Sequence, residues 1–246
     1  MDTQDGYGLF KGEIMSHRSL VSELRPALLW LLAMLLGTSA GTALAQSEQQ
    51  KLVNAADTTF QNFMRDPEMT WLQQNIGRAK GVLIAPEVVK AGFIFGGSGG
   101  RAVLVVRDTK SGKWIGPAFY TLATASVGFQ AGVAVSEMLT LVMTEKALNS
   151  LLSDSVKLGP DASVAAGPVG AGAKADVVTD LVSYSRAKGI YGGINLDGTV
   201  VAVSKDWNEG FYQKPVSAPD ILVRMTAHNK SADKLIGDVS RATGRR

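Results

Sequence analysis

The spacing of apolar and polar residues changes twice along this chain. Residues 47–64 carry apolar side chains at helical spacing, and Asp66-Pro67 can start a second short helix that ends near Gly77. From Gly81 onward, short β-rich segments alternate with glycine, proline and turn sequences, which is typical of strands. The predicted strands are residues 82–84, 91–95, 101–107, 138–143, 177–184, 190–194 and 199–203. Beyond residue 216 the spacing is helical again.

Turn and cap sequences predict how these segments are joined. Residues 108–113 have hairpin composition, and residues 195–198 predict a second hairpin, between 190–194 and 199–203. Thr144 and Ser231 can cap helices, and residues 241–246 are expected to be a frayed tail. Residues 159–175 are rich in Gly and Ala and fit either a flexible linker or a strand with a tight bend, of which we favour the strand.

Residues 114–136 contain no charged side chain. A neutral run of this length can indicate a membrane span. It contains Gly116-Pro117 and three further glycines or polar breaks at Gly128, Gln130 and Gly132, and β-branched residues recur in it. These features disfavour a helix and favour two or more buried strands joined by tight bends. We therefore expect an α+β single domain with an antiparallel, strongly bent or barrel-like β-sheet, an N-terminal helical pair and C-terminal helices.

The first 45 residues resemble an export signal. Residues 26–36 are almost wholly apolar and are followed by Ala43-Leu44-Ala45, a small-x-small sequence that predicts cleavage after Ala45. Met15 begins a more regular signal than Met1 does, and a retained anchor helix is the alternative. The expected division is residues 1–45 as extension and signal, and residues 46–246 as the folded domain.

Composition narrows the expected function of residues 46–246. Their net charge is +4, which is too small to indicate nucleic-acid binding. The chain has no cysteine, so it lacks both disulfides and the residue that a bacterial lipoprotein uses for its anchor. These features predict a periplasmic or secreted protein without a lipid anchor.

No motif in the sequence predicts catalysis or a cofactor. Residues 96–100 read Gly-Gly-Ser-Gly-Gly and match a nucleophile elbow formally, but a strand is predicted after Ser98 where the elbow needs a helix. The domain offers only His228 as a base, so a glycine-rich hairpin loop is the favoured interpretation. Residues 167–174 lack the ending of a phosphate-binding loop, and metal ligands are sparse.

One tetrapeptide occurs twice, as Arg78-Ala-Lys-Gly81 and Arg186-Ala-Lys-Gly189. It indicates either a repeated way of entering a strand or two basic clusters on one rim. Aromatic residues gather near positions 93–95, 114–120 and 207–212, where most are expected in the core. A subset exposed beside basic residues would suit a membrane interface.

Five sequence blocks together resemble the SYLF domain family. They are Arg78-Ala-Lys-Gly-Val-Leu-Ile-Ala-Pro, Gly92-Phe-Ile-Phe-Gly-Gly-Ser-Gly-Gly, Trp114-Ile-Gly-Pro-Ala-Phe-Tyr, Gly128-Phe-Gln-Ala-Gly and Tyr184-Ser-Arg-Ala-Lys-Gly-Ile-Tyr-Gly-Gly. The likeness extends from about Asp57 to Tyr212. The family includes eukaryotic phosphoinositide-binding proteins, yeast actin regulators with Src-homology-3 modules, and exported bacterial members.

The resemblance implies a single mixed α/β lipid-binding domain without enzyme activity. Its basic positions correspond here to Arg78, Lys80, Arg186 and Lys188, with Lys90 as a neighbouring candidate. In this chain a predicted signal stands where eukaryotic members have an amphipathic segment, and an actin-binding role does not fit an exported protein. We therefore expect binding to an anionic phospholipid membrane surface, without cofactor, metal or nucleic acid. The alternative is a structural or protein-interaction module of the cell envelope with a protein partner.

Overall fold

The computed structural model describes residues 47–92, 95–127, 132–170, 177–187, 190–193 and 196–244, which form one α+β domain. The predicted signal lies outside these residues. The α-helices of the described residues are α1 (Glu48–Arg65), α2 (Thr70–Asn75), α3 (Glu145–Leu151), α4 (Lys205–Tyr212), α5 (Ala218–Leu222) and α6 (Asp233–Gly244). Short 3-10 turns lie at Pro67–Met69, Ile76–Arg78 and Lys230–Ala232.

The predicted N-terminal helical pair is present as α1 and α2. The Ser47 hydroxyl caps α1 by accepting a hydrogen bond from the Gln50 amide at 3.2 Å. Asp66 then caps the following 3-10 turn, accepting from the Glu68 amide at 2.8 Å. One face of α1 is buried against the sheet because its apolar residues recur every three or four positions.

Nine strands form a single sheet in the described residues. They are β1 (Gly81–Gly92), β2 (Phe95–Arg107), β3 (Trp114–Val127), β4 (Gly132–Val142), β5 (Ser155–Lys157), β6 (Val164–Ala166), β7 (Leu181–Ala187), β8 (Ile190–Gly193) and β9 (Val200–Val203). Their spatial order is β5-β9-β3-β2-β1-β4-β7-β6, and β8 pairs with β7 outside this path. The sheet is strongly curled into a half-barrel, as expected. Its pairings are antiparallel except that β6 runs parallel to β7.

Strand β1 is continuous, although Pro86 was predicted to end it and a second strand was predicted at residues 91–95. Between the pairs Ile84–Val103 and Glu87–Arg101, β1 has two residues and β2 has one, so Pro86 lies in a β-bulge. Proline has no N–H group to donate to the neighbouring strand, and a bulge tolerates this. Gly100 lies beside this bulge. A Cβ atom on Gly100 would stand 2.3 Å from the Glu87 carbonyl oxygen, so glycine allows the bulged backbone to approach.

The prediction of a glycine-rich hairpin loop at residues 96–100 is wrong. These residues form part of β2 and pair with β1 on one side and β3 on the other. A Cβ atom on Gly97 would lie 2.9 Å from the Thr124 carbonyl oxygen, so the close approach of β3 favours glycine inside this strand.

The prediction of a hairpin around residues 195–198 is also wrong. Strand β8 pairs with β7, whereas β9 lies between β3 and β5. The two segments are neighbours in sequence but not in the sheet. The other predicted hairpin is confirmed, since the amide of Asp108 donates to the carbonyl of Lys113 at 2.8 Å and joins β2 to β3. The strand expected within residues 159–175 is present as β6, and residues 171–175 lie outside the described part.

The C-terminal helical region begins earlier and ends later than predicted, although α5 ends at Leu222 and not near Met225. Helix α4 was not predicted, although Trp207 and Phe211 have helical spacing. Ser217 and Asp220 form a reciprocal capping box at α5. Helix α6 continues to Gly244, so the frayed tail predicted from residue 241 is wrong for residues 241–244. There Thr243 accepts a hydrogen bond from the Trp114 indole at 3.0 Å.

Within the described residues, the neutral run forms β3 and the first part of β4, and its buried side chains lie between Trp114 and Leu122. Phe119 and Tyr120 lie in the core, where Phe119 packs edge-on against Phe211 of α4 at 5.0 Å between ring centroids. Beyond Leu122 the side chains become exposed, as Val133 and Val135 show. Among the described helices, none is both long enough and apolar enough to cross a bilayer.

Candidate functional site

Helices α1, α4, α5 and α6 contact strands β1 to β4, and we call them the helical layer. The last residues of β1 and β3 and the first residues of β2 and β4 lie at one end of the sheet, beyond this layer. We call this part the sheet tip, and it comprises residues 88–92, 95–100, 122–127 and 132–136. Within residues 88–100 and 114–136 the sequence has a single charged side chain, Lys90. The connections of the tip, residues 93–94 and 128–131, read Phe-Ile and Gly-Phe-Gln-Ala and are also uncharged.

One face of the sheet tip is apolar and exposed to solvent. Strand register places its side chains in two cross-strand rows, Ala123-Gly99-Val89-Val135 and Ala125-Gly97-Ala91-Val133. The exposed fractions are 74% for Val133, 51% for Val135 and 38% for Val89. The alanines of these rows are exposed as well. Scattered exposed valines are ordinary, but two adjacent uncharged rows form a contiguous patch, which is typical of a binding surface.

Charged residues begin in the next row and form a polar border below this patch. Glu87 pairs in register with Arg101, whose guanidinium lies 3.9 Å from the ring centroid of Trp207. On the other side Arg186 forms a salt bridge with Glu137. Glu137 also accepts a hydrogen bond from Thr59 of α1 at 3.0 Å. The patch therefore ends where the sheet meets the helical layer.

A second surface lies at the opposite end of β1, around its first residues. We call it the base cluster, and it comprises Arg78, Lys80, Arg107 and Asp108. The amide of Arg107 donates to the carbonyl of Lys80 at 2.8 Å, so the pairing of β1 with β2 fixes these two residues side by side. Together with Thr109 and Gly112, these side chains line a cavity of about 190 Å³.

The structure does not bring the predicted basic site residues together. Arg78 and Lys80 are in the base cluster, whereas Lys90 is exposed on the sheet tip, ten residues further along β1, which is at most about 33 Å of extended strand. Arg186 lies on β7 opposite Glu137. Glu137 is five residues, or at most about 17 Å of extended strand, from Val142, the end of β4 that pairs with Lys80. Lys188 lies outside the described residues. The two basic tetrapeptides therefore do not share one rim, as far as the described residues show.

Arg107 was missed by the sequence analysis. It ends the β-rich run of residues 101–107, and an antiparallel strand that follows β1 returns its last residue to the first residues of β1. That register was the signal that could have placed Arg107 beside the first tetrapeptide.

The serine of the elbow-like motif is not placed for catalysis. Ser98 lies inside β2, with Lys90 and Thr124 as its cross-strand neighbours, and not on a strand-to-helix turn. His228 bonds Asp233 at 2.9 Å, and its neighbour Asn229 bonds the main chain of Phe211 in the helical layer. The helical layer meets β3 near Phe119, five residues below Thr124, so Ser98 and His228 belong to different parts of the domain.

Two buried carboxylates join distant segments of the chain. Asp180 accepts hydrogen bonds from the Thr144 hydroxyl at 2.6 Å and from the Ser163 amide and hydroxyl at 3.0 Å each. The Thr144 hydroxyl is the main cause that lowers the pKa of Asp180 to about 2. Asp57 of α1 forms a salt bridge with Lys234 of α6, and burial raises the pKa of the Asp57 carboxyl. In the described residues, no group of three or more His, Cys, Asp or Glu side chains could hold a metal ion.

The fold and these surfaces define an α+β domain with an apolar sheet tip and a basic base. The model of the family described as "Ysc84: Las17-binding protein actin regulator" matches residues 123–242. The chain therefore carries a domain of the Ysc84 family, which confirms the SYLF resemblance.

Curated relatives match a longer part of the chain. The chain is 32% identical to "Protein YSC84" of Saccharomyces cerevisiae over 166 residues, which are 65% of this chain and 35% of that protein. It is 33% identical over 152 residues to the yeast "LAS seventeen-binding protein 3", covering 59% and 33%.

The human "SH3 domain-containing YSC84-like protein 1" is 30% identical over 165 residues, covering 65% of this chain and 48% of that protein. The chain thus spans between a third and a half of these three relatives, and none of the three is named for an enzymatic activity. No solved structure matches the chain.

Proposed function

We propose that this domain is an exported, non-catalytic module that binds anionic phospholipid membranes through its sheet tip. The observation that carries the proposal is the exposed, uncharged face formed by the two rows of the tip. Such a face is costly to leave in water and gains free energy when it enters the apolar part of a bilayer interface.

The expected energies favour reversible binding. Full burial of a valine is worth about 1.5–3 kcal/mol, so the exposed parts of Val89, Val133 and Val135 contribute about 3 kcal/mol together. Lys90 adds about 1 kcal/mol beside an anionic surface.

The polar border limits how deep the tip can enter. Glu87 and Arg101 lie one row below Val89, and charged residues are expensive to place in hydrocarbon. The proposed complex is therefore interfacial, with the tip at headgroup depth and the helical layer in water.

The test is co-sedimentation with phosphatidylglycerol vesicles. Val133→Asp with Val135→Asp should weaken binding at least tenfold, because the double change removes apolar area and places two carboxylates against an anionic surface. The control is Val178→Asp, since Val178 is 98% exposed but lies before β7, outside the tip. All variants share one N-terminus, so the apolar residues 26–36 contribute equally to each.

Two outcomes would contradict the proposal. One is wild-type protein that stays in the supernatant with anionic vesicles at low salt. The other is a tip variant that sediments as well as the Val178→Asp control.

The second candidate is a protein-interaction module of the cell envelope. The observation in its favour is that the apolar rows carry no basic residue of their own, because Lys90 pairs with Ser98 and Ala134 in a row of the opposite face. The family description also names a protein partner, Las17. This candidate would be favoured if the wild-type protein does not bind vesicles but can be cross-linked to an envelope protein, and if the tip variant loses that cross-link.

A further inference from the structure

We propose that the base cluster is a binding site for a phosphate group, separate from the membrane-binding tip. Three cationic side chains, those of Arg78, Lys80 and Arg107, line one small cavity. Phosphate binding at the base does not depend on the proposed function of the tip. Only the orientation of the base cluster relative to a bound membrane rests on that proposed function.

Arg107 is held in place by two main-chain carbonyls. Its Nε donates to the Gly112 carbonyl at 3.2 Å, and one terminal nitrogen donates to the Gly77 carbonyl at 3.2 Å. A guanidinium has five N–H donors, so three remain without an acceptor among the described residues. A planar guanidinium fixed in this way is pre-organised for the oxygens of a phosphate.

The charges around the cavity favour an anion. Arg78 donates to the Asn75 side-chain oxygen at 3.0 Å and has no carboxylate partner among the described residues. Lys80 forms a half-exposed pair with Glu145 at 3.2 Å, and such surface pairs are weak and easily exchanged. The adjoining turn adds Lys110 and Lys113 to the local positive charge.

One carboxylate, that of Asp108, also lines the cavity. One of its oxygens accepts hydrogen bonds from the Ser111 amide at 2.7 Å and from the Ser111 hydroxyl at 2.6 Å. These bonds hold the carboxylate within its own turn, and its negative charge is outnumbered by the cations that line the cavity. A phosphate with two negative charges therefore gains more here than a carboxylate ligand with one.

The base cluster faces away from a membrane that the tip has entered. Strand β1 runs from the base at Gly81 to the tip at Gly92, which is about 36 Å of extended chain. The phosphate group bound at the base therefore does not belong to the same bilayer. Its source is either a soluble phosphate compound or a headgroup of a second membrane.

The first arm of the experiment uses inorganic phosphate and isothermal titration calorimetry on the whole protein. Arg78→Gln with Lys80→Gln should weaken phosphate binding at least tenfold without unfolding the domain, because Arg78 is exposed and the Lys80 side chain only half-buried. The matched control is Lys51→Gln with Arg65→Gln, which removes the same two charges from exposed positions of α1. Arg107→Gln gives an independent loss of binding, with its folding checked by circular dichroism.

The second arm mixes the protein with phosphatidylglycerol vesicles and measures turbidity. Clustering of vesicles that the base variant abolishes, while co-sedimentation persists, identifies the headgroups of a second bilayer as the source. Phosphate binding without clustering identifies a soluble compound. The tip variant Val133→Asp with Val135→Asp should keep its phosphate binding, so failure of the tip proposal and failure of the base proposal are distinguishable. Absence of both phosphate binding and clustering, or equal binding by the base and control variants, overturns the proposal.

Discussion

Alanine at position 167 is expected to destabilise the protein by about 3 kcal/mol, as a small-to-large change in a packed core. A Cβ atom at Gly167 would lie 2.1–2.5 Å from three ring atoms of Tyr184. That ring is completely buried, and the Gly167 amide donates to the Ser183 carbonyl at 2.8 Å, so neither side can move away freely. Urea denaturation followed by far-ultraviolet circular dichroism measures the change.

Gly237→Ala is the matched control for this prediction. Gly237 lies within α6, and its nearest neighbour is the flexible end of Arg241 at 3.4 Å. Alanine is a better helix former than glycine, so this change should stabilise the protein by up to about 1 kcal/mol. Combining Gly167→Ala with Tyr184→Leu should recover part of the lost stability. Equal stability of the two single variants would show that the Tyr184 ring does not lie against Gly167.

Local sequence signals predicted the elements whose partners are close in the chain. The turn at residues 108–113 specified the β2–β3 hairpin because the composition of a short loop determines its geometry. The caps at Asp66 and Thr144 were found for the same reason. The cap predicted at Ser231 is wrong, because Asn229 caps the 3-10 turn that contains Ser231.

The failures concern pairings that the local sequence does not determine. Strand β9 follows β8 in the chain but pairs with β3, and no residue in the turn between them encodes that distant partner. The glycines of β2 read as a loop because glycine is rare in strands. Here Gly100 and Gly97 are required by the close approach of Glu87 and Thr124 from the neighbouring strands.

The two candidate surfaces also combine features that the local sequence predicts with features that only strand pairing and packing determine. The repeated tetrapeptide located Arg78 and Lys80, but only the register of β1 with β2 adds Arg107 to them. The neutral run was predicted to be buried throughout. Its composition is similar above and below Leu122, and its burial depends on how far the helical layer extends over the sheet. That extent is a property of the tertiary packing, so the apolar tip was not visible in the sequence.

Replacement of Asp180 by asparagine is expected to lower the free energy of unfolding by about 2 kcal/mol at neutral pH. The Asp180 carboxylate joins the start of α3, through Thr144, to the segment before β6, through Ser163. Lys146 adds an ion pair at 3.3 Å. The residue is only 9% exposed, so the lost hydrogen bonds are poorly replaced by water. An asparagine keeps the size of the side chain but replaces one accepting oxygen by a donor.

The same carboxylate predicts a specific dependence of stability on pH. The pKa of Asp180 is about 2 in the folded protein, below the value of 3.8 for an unperturbed aspartate. The unfolded chain therefore binds the proton more readily, and the stabilisation is complete above pH 4 to 5. It is lost as the pH falls through 3.8 towards 2. Urea denaturation between pH 7 and pH 2.5 should show a shallower acid decline for Asp180→Asn than for the wild type.

Asp154→Asn is the control for the Asp180 prediction. Asp154 also pairs with a lysine, Lys205, at 3.1 Å, but its side chain is 82% exposed. Its loss should change stability by less than about 0.5 kcal/mol, because water replaces the partner. If the stability of Asp180→Asn falls with decreasing pH in parallel with that of the wild type, Asp180 is not held as a buried anion. In that case the link between α3 and β6 would depend on packing alone.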